Sequence, residues 1–184
     1  MAAKLPEYLQ DFARFGFLTG WRRGSIASLR WKDVGDDSIC LRAENCKIRK
    51  AETMPLDGEL RAIIERRRTA QILEDENGTK RLAEFVFHRD GLPIGDFRKS
   101  WATACKLAHV NDRLFHDLRR TASRNLIKAG VPQAVAMKIT GHRTDSVFRR
   151  YAIVDLEQKR EALARTEQYL AVNGDRKVVA MKGK

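Results

Sequence analysis

The chain has 184 residues, a formal net charge of +12 and a sequence pI near 10.0. Hydrophobic residues make up 43% of it, enough for one compact domain with a core, and no apolar run approaches the roughly 18 residues of a membrane span. Composition therefore argues against a membrane-spanning protein, and the positive charge favours a polyanionic partner, most commonly nucleic acid.

Two helices and a small sheet are predicted first. Pro6 can begin a helix, apolar residues recur after it at helical spacing, and Gly20 interrupts the pattern. Residues 39–42 alternate between apolar and polar, as in a half-buried strand. The predicted elements are a helix from Pro6 to about Phe17, a helix at 24–31, and strands near 39–42, 45–49 and 52–56. We expect an antiparallel sheet near residues 38–56 at the edge of a helical core.

Helices dominate the rest of the chain. Asp57 can cap a helix to about Leu73, an exposed loop follows at 74–80, and Phe85–Phe87 forms a short buried strand or extended segment. Further helices are predicted near 96–108, 116–129, 132–139, 145–151 and 155–170. We expect a single domain over residues 1–172, followed by a basic, flexible tail at 173–184.

Positive charge is concentrated between Asn111 and Tyr151. Nine Lys or Arg residues face three acids there, so half of the net charge lies in 41 residues. A solvated basic face or an anionic membrane surface would have the same composition, but DNA or RNA is the more frequent partner.

Two segments in this region combine groups that can bind or attack a phosphate. His116 and Arg119 lie three residues apart and share a face near a helix start, where backbone N–H groups also favour anions. Gly141-His142 is followed nine residues later by Tyr151, whose phenol has an ordinary pKa of about 10 and needs nearby cations to act as a nucleophile. Alone, each segment also fits a capped helix or a packed tyrosine.

Taken together with two earlier segments, these residues resemble the tyrosine recombinase (phage integrase) family. The family shows T-G-x-R, a hairpin lysine eight residues before a Pro-Leu pair, H-x-L-R, G-H and R-Y. The matching segments here are Thr19-Gly20-Trp21-Arg22, Lys47 with Pro55-Leu56, His116-Asp117-Leu118-Arg119, Gly141-His142 and Arg150-Tyr151. The resemblance implies an α+β, mostly α-helical catalytic domain with a small antiparallel β-sheet at its edge.

The resemblance also implies DNA cleavage and rejoining with no metal or other cofactor. Tyr151 would attack the phosphorus and form a 3′-phosphotyrosine, while Arg22 and Arg119 would bind the non-bridging oxygens. The remaining roles would belong to Lys47, which would protonate the leaving 5′-oxygen, His116, which would handle the proton of Tyr151, and His142, which would hydrogen-bond the phosphate.

Double-stranded DNA is the expected partner, with no membrane and no small-molecule substrate. The cations expected to contact DNA flank the catalytic residues: Arg23, Arg49, Lys50, Arg120, Arg143, Arg149 and Arg150. Lys50 lies three residues from Lys47 and could replace it. The three cysteines (Cys40, Cys46 and Cys105) have no metal-ligand spacing and predict free thiols, in keeping with a phage or bacterial protein of the cytoplasm.

Two features depart from the family pattern. The family usually has Glu or Asp three residues after its first arginine, whereas this chain has Ser25, which can keep a hydrogen bond but not the charge. We expect this to reduce activity rather than abolish it. Family members also carry an N-terminal DNA-binding domain, and only 18 residues precede Thr19. We therefore expect that domain to be absent and DNA binding to be weak, salt-sensitive and mostly non-specific.

Other interpretations remain open at this stage. The chain could be a catalytically impaired DNA-binding fragment or regulatory module of the same fold, or a topoisomerase of the related tyrosine class. An RNA-binding domain is disfavoured, because no aromatic-rich RNA platform is present. Leu156, Leu163 and Leu170 form a narrow seam on the last helix. This seam could support self-association on DNA or fold back in cis, and for an isolated domain cis packing is favoured.

Overall fold

A computed structural model describes residues 1–41, 52–110, 113–142, 144, 148 and 156–173. The chain divides into two compact units, Met1–Tyr151 and Ala152–Lys184. Several predictions lie outside the described residues: Lys47, Arg49, Lys50, Arg143, Arg149, Arg150, Tyr151, the strand at 45–49, the helix at 145–151 apart from residue 148, and the tail from residue 174 onwards.

The described part of the first unit is mostly helical, as the sequence predicts. Its α-helices are α1 (Glu7–Thr19), α2 (Arg23–Ala27), α3 (Gly58–Thr69), α4 (Arg98–Leu107), α5 (Asp117–Lys128) and α6 (Gln133–Thr140). Short 3-10 turns occupy Ala2–Lys4 and Trp31–Asp33. The strands are β1 (Ser38–Leu41), β2 (Glu52–Pro55), β3 (Ile72–Glu74), β4 (Lys80–Leu82), β5 (His88–Arg89) and β6 (Leu92–Pro93).

The described strands pair as three antiparallel hairpins. The β1–β2 pair, with Ile39 opposite Met54, confirms the small sheet predicted near residues 38–56. The β3–β4 and β5–β6 pairs were not anticipated. At two or three residues per strand, they are too short for the alternation of side chains to be recognised in the sequence.

The core is built around one face of α1. Leu9, Phe12 and Phe15 are almost completely buried, and the Phe12 ring lies 5.1–5.7 Å from three other aromatic rings, those of Phe87, Phe97 and Phe115. Aromatic pairs at these separations add to the stabilisation that burial of the rings provides. Helix α1 also packs against α3 and α5. The amphipathic pattern that predicts the first helix therefore also identifies the face of α1 that packs in the core.

Two predicted helices end earlier in the structure. The second helix stops at Ala27 rather than 31, and α3 stops at Thr69, so that Ile72–Glu74 is a strand instead of the end of a helix reaching Leu73. The backbone of Gln71 receives a hydrogen bond from the Ala83 N–H (2.8 Å), and the Gln71 side chain donates one to the Ala83 carbonyl (3.3 Å). These pairings, 12 residues apart, outweigh the helical preference of the sequence.

Buried His88, in the β5–β6 hairpin, is held as a neutral ring. Its Nε2–H donates to the Ala70 carbonyl (3.1 Å), and its Nδ1 accepts from the Gly91 N–H (3.2 Å). Burial lowers the pKa of His88, and the charge of buried Arg67 lowers it further. Protonation at Nδ1 would break the Gly91 hydrogen bond and place a second cation near Arg67.

We expect the free energy of unfolding to fall as the pH drops below about 6.5, the ordinary pKa of histidine. Above that pH the ring is neutral in both states, whereas below it the unfolded chain takes up the proton first. The slope from one such histidine is at most about 1.4 kcal/mol per pH unit. Urea unfolding between pH 7.5 and 5 should show this decline for wild type and a shallower one for His88→Gln. An equal decline in both would show that His88 is not responsible.

The second unit contains α7 (Leu156–Asn173). Leu156, Leu163 and Leu170 are exposed by 63%, 66% and 57%, respectively, so the predicted seam forms an apolar stripe on the surface of this helix. Among the residues that the structure describes, no helix is both long and apolar enough to cross a membrane.

Candidate active site

The Thr19–Arg22 segment forms a tight junction between α1 and α2. Gly20 ends α1 in the left-handed conformation (φ 66°), and the Thr19 hydroxyl donates to the Phe15 carbonyl (2.8 Å) while accepting from the Trp21 N–H (3.2 Å). The buried Trp21 indole donates to the Ile139 carbonyl near the end of α6 (3.0 Å). Arg22, half-buried at the start of α2, is therefore anchored near the end of a helix that lies more than 100 residues away in sequence.

The Gly141-His142 segment forms the C-terminal cap of α6. Gly141 adopts the left-handed conformation (φ 66°), its N–H donates to the Lys138 carbonyl (3.2 Å), and the His142 N–H donates to the Met137 carbonyl (2.9 Å). This turn directs His142 out of the helix, and its ring meets the fully buried Phe148 ring edge-on at 5.4 Å. The glycine is needed because other residues rarely adopt this backbone conformation.

Arg119 joins these two segments. Its side chain is only 4% exposed, and Nη1 donates to the carbonyls of Gly20 (2.6 Å) and Thr140, while Nη2 donates to the carbonyl of Gly141 (3.0 Å). A planar guanidinium can serve several acceptors at once because its donors are fixed in a fork. Arg119 therefore has a structural role that sequence analysis did not anticipate. Its predicted role as a phosphate clamp stays a prediction.

Electrostatic effects connect four of the six predicted catalytic residues. Burial lowers the pKa of His142 to about 4, with further contributions from the charges of Arg119, Arg22 and His116. Partial desolvation lowers the pKa of His116 as well, as do the charges of Arg119, Arg120 and Arg22. The fold thus brings Arg22, His116, Arg119 and His142 into one cationic neighbourhood in which both imidazoles are neutral at pH 7. Lys47 and Tyr151 lie outside the described residues.

Two of the predicted DNA-contacting cations are described, and both are exposed. Arg23 follows Arg22, donates to the Gly95 carbonyl (3.3 Å) and lies 6.0 Å from the centre of the Phe97 ring. Arg120 follows Arg119 and forms a surface ion pair with Asp117 (3.4 Å). Ion pairs this exposed are weak and can be exchanged for a phosphate contact at little cost.

A groove of about 1300 Å³ begins at Arg23 and runs along α4. Its floor is aromatic, with Phe97, Trp101 and Phe115, and its rim includes Arg98 and Arg113. None of Arg22, His116, Arg119 and His142 lines it. The groove is therefore a neighbour of the cationic cluster rather than part of it.

Thr140 is a member of the site that sequence analysis missed. It is 1% exposed, its carbonyl accepts from Arg119, and its hydroxyl oxygen lies 2.6 Å from Nδ1 of His142. The only signal in the sequence is its place two residues before His142, and a threonine at the end of a helix has no special meaning by itself. Its importance becomes visible only once Arg119 and His142 are both close to it.

Gly20 leaves room for this arrangement. A Cβ atom there would lie 3.1 Å from both the Ala122 Cβ and the Thr140 Cγ2, and the backbone is left-handed. We expect Gly20→Ala to lower the free energy of unfolding by about 1–3 kcal/mol, because it combines backbone strain with crowding. Denaturant unfolding measures this. Gly24→Ala is the matched control, since Gly24 is helical and a Cβ there meets nothing within 4 Å. A loss in Gly20→Ala no larger than in this control would contradict the prediction.

Comparisons with known proteins agree on the family of this chain. The Phage integrase family profile matches residues 2–158. The integrase of Salmonella phage P22 is 28% identical over 160 residues, which cover 79% of this chain and 39% of that protein. The solved structure of Tn1549 transposon integrase with circular intermediate DNA matches with a TM-score of 0.65 at 18% identity, covering 85% of this chain and 58% of that one.

A second solved structure, a lambda integrase dimer bound to a COC′ core site, matches with a TM-score of 0.60 at 16% identity. That match covers 79% of this chain and 52% of the lambda chain. The fold is therefore shared with these enzymes. The chain spans less than two thirds of the length of each of these three relatives.

Proposed function

The chain belongs to the phage integrase family of tyrosine recombinases, and we propose on that premise that it is a DNA strand transferase acting through Tyr151 without a metal ion. The observation that carries the proposal is that three distant segments meet at Arg119, which donates to the carbonyls of Gly20 and Gly141. Burial and the charges of Arg119 and Arg22 lower the pKa of both His116 and His142. Fixed cations of this kind stabilise the negative charge of a phosphoryl-transfer transition state.

In the proposed reaction, the Tyr151 oxygen forms a bond to phosphorus as the bond from phosphorus to the 5′-oxygen breaks. Neutral His116 accepts the tyrosine proton, and Lys47 gives a proton to the leaving 5′-oxygen. Arg22, Arg119 and His142 bind the non-bridging oxygens. The lowered pKa of His116 supports its role, because an imidazole that is neutral at pH 7 can accept a proton. The phosphotyrosine ester keeps the bond energy, so a 5′-hydroxyl can reverse the step without ATP.

Double-stranded DNA is the proposed substrate. The net charge of +12 and the exposed Arg23 and Arg120 beside the cationic cluster support it. Each phosphate that the protein neutralises releases counterions, so binding should weaken steeply as salt is raised. The phage relative and the free thiols of Cys40 and Cys105 are both consistent with action in the bacterial cytoplasm.

We also propose self-association on DNA through α7. The exposed leucine stripe, spaced by seven residues, is suited to pairing with another apolar surface, and lambda integrase has been solved as a dimer on its core site. Light scattering with and without DNA tests this. The association should disappear when residues 155–184 are deleted, and a complex that survives the deletion would contradict it.

The strand-transfer proposal is tested by trapping the covalent intermediate. A pool of random-sequence nicked duplexes, whose cleaved 5′ fragment diffuses away, is incubated with the protein in EDTA and resolved on a denaturing gel. The expected result is a shifted protein–DNA band whose modified peptide, identified by mass spectrometry, contains Tyr151. Binding without a band would instead favour the impaired DNA-binding module that Ser25 suggests. Relaxation of supercoiled plasmid without recombination would favour a topoisomerase.

A further inference from the structure

Three polar atoms lie close to the Thr140 hydroxyl, which has a single proton to donate. Its Oγ1 lies 2.8 Å from the Ala136 carbonyl oxygen, 3.4 Å from the Met137 carbonyl oxygen and 2.6 Å from Nδ1 of His142. The group is buried, so water does not compete for these contacts. A hydroxyl has one proton to donate and two lone pairs that accept. The way in which that proton is used therefore determines the state of the histidine.

The two carbonyl oxygens can only accept hydrogen bonds, so a Thr140 hydroxyl that satisfies either of them donates its single proton there. The Ala136 contact has the length and spacing of the usual bond from a threonine hydroxyl to the carbonyl four residues earlier. If Oγ1 donates to Ala136, it must accept from His142, so Nδ1 carries the hydrogen. In a neutral imidazole the other nitrogen, Nε2, then carries the lone pair.

We propose that Thr140 is a positioning residue that fixes His142 in the Nδ1–H tautomer and orients its ring. The inference deepens the proposed function and rests on it only in the assignment of His142 to the phosphate. With Nδ1 bound to Thr140, Nε2 is the nitrogen that serves the phosphate, and it donates a hydrogen bond there only after taking up a proton from solvent.

The surroundings of His142 are consistent with this. Among the described residues, the charged and titratable groups that act on it are Arg119, Arg22 and His116, all of which oppose a positive ring, and the Phe148 ring meets it edge-on. The lowered pKa of His142 means that the ring is neutral at pH 7 while no phosphate is present. A bound phosphate brings negative charge that offsets the cations and favours protonation.

Thr140 also links His142 to Arg119. The Thr140 carbonyl accepts from the guanidinium, and its methyl group would lie 3.1 Å from a Cβ on Gly20. One residue thus contacts the arginine through its backbone and the histidine through its hydroxyl. The two functions can be separated by substitution, because Thr140→Val keeps the shape and removes the oxygen, whereas Thr140→Ser keeps the oxygen and removes the methyl group.

The test is ¹⁵N NMR of the imidazole of His142 in the free protein at pH 7, since the two ring nitrogens have different shifts when protonated and unprotonated. We expect the Nδ1–H pattern in wild type and Thr140→Ser, and its loss in Thr140→Val. An Nε2–H pattern in wild type, or an unchanged pattern in Thr140→Val, would overturn the inference. Should Thr140→Val fail to fold, the wild-type spectrum still decides between the two tautomers.

Cleavage of the nicked substrates is the second readout. We expect Thr140→Val to slow formation of the covalent adduct by about tenfold or more through misplacement of His142, and Thr140→Ser to remain close to wild type. A role in packing alone would predict the opposite order, because only Thr140→Ser removes the methyl group that lies close to Gly20. If wild type forms no adduct, the proposed function fails, but the NMR result still decides the role of Thr140.

Discussion

Replacement of Tyr151 by phenylalanine is expected to remove the covalent protein–DNA adduct completely. The substitution deletes one oxygen, the atom proposed to bond to phosphorus, and leaves the ring in place. No other group in the proposed site can form the same 3′-phosphotyrosine, so the loss should be at least the several orders of magnitude that a denaturing gel can resolve. Binding to duplex DNA, measured by fluorescence anisotropy, should be unchanged.

Tyr169→Phe provides the matched control. The chain has three tyrosines, and Tyr169 lies on α7 with 64% of its surface exposed. The Tyr169→Phe variant should form the adduct at the wild-type rate. An adduct that persists in Tyr151→Phe and disappears in Tyr169→Phe would identify Tyr169 as the nucleophile and refute the proposed mechanism.

Substitution of Arg119 by alanine is expected to damage both the fold and the reaction. The carbonyls of Gly20, Thr140 and Gly141 would each lose a charged donor in a buried setting. An unsatisfied buried acceptor costs about 1–3 kcal/mol, so the free energy of unfolding should fall by about 3 kcal/mol or more. Cleavage should slow by at least about 10²–10³-fold, the effect of removing one preorganised donor from a transition state.

Two further variants separate these effects. Arg119→Lys keeps the charge but cannot reach three carbonyls with a fork of donors, so it should recover little stability. Arg120→Ala removes the exposed neighbour that pairs with Asp117 and should change stability by less than about 1 kcal/mol. Urea unfolding and single-turnover cleavage on the same samples measure both properties. If Arg119→Ala unfolds more easily yet cleaves at the wild-type rate, Arg119 is a structural residue alone.

The helices that carry the site could be read from the sequence because their signals are local. Pro6 and Gly20 delimit α1, Gly130 and Pro132 separate α5 from α6, and periodic apolar residues mark the buried face of each helix. The family motifs are local as well. They place Arg22, His116 and His142 in recognisable contexts, and the structure brings these three residues together with Arg119.

What the sequence could not determine depends on contacts between distant segments. The end of α3 is set by pairing of Gln71 with Ala83, and the buried, neutral state of His88 by Ala70, Gly91 and Arg67. No local pattern predicts these contacts, because none of these residue types is unusual within its own segment.

The same reason explains the part of the site that was missed. From the sequence, Arg119 is a cation predicted to bind a phosphate, and Thr140 directly follows a predicted helix. In the folded chain Arg119 is buried and donates to carbonyls on two other segments, and Thr140 touches both it and His142. The sequence by itself determined the family, the helices and the candidate reactive groups. Only the tertiary structure decided which backbone carbonyls and which hydroxyl hold those groups, since such partners are chosen by proximity and not by residue type.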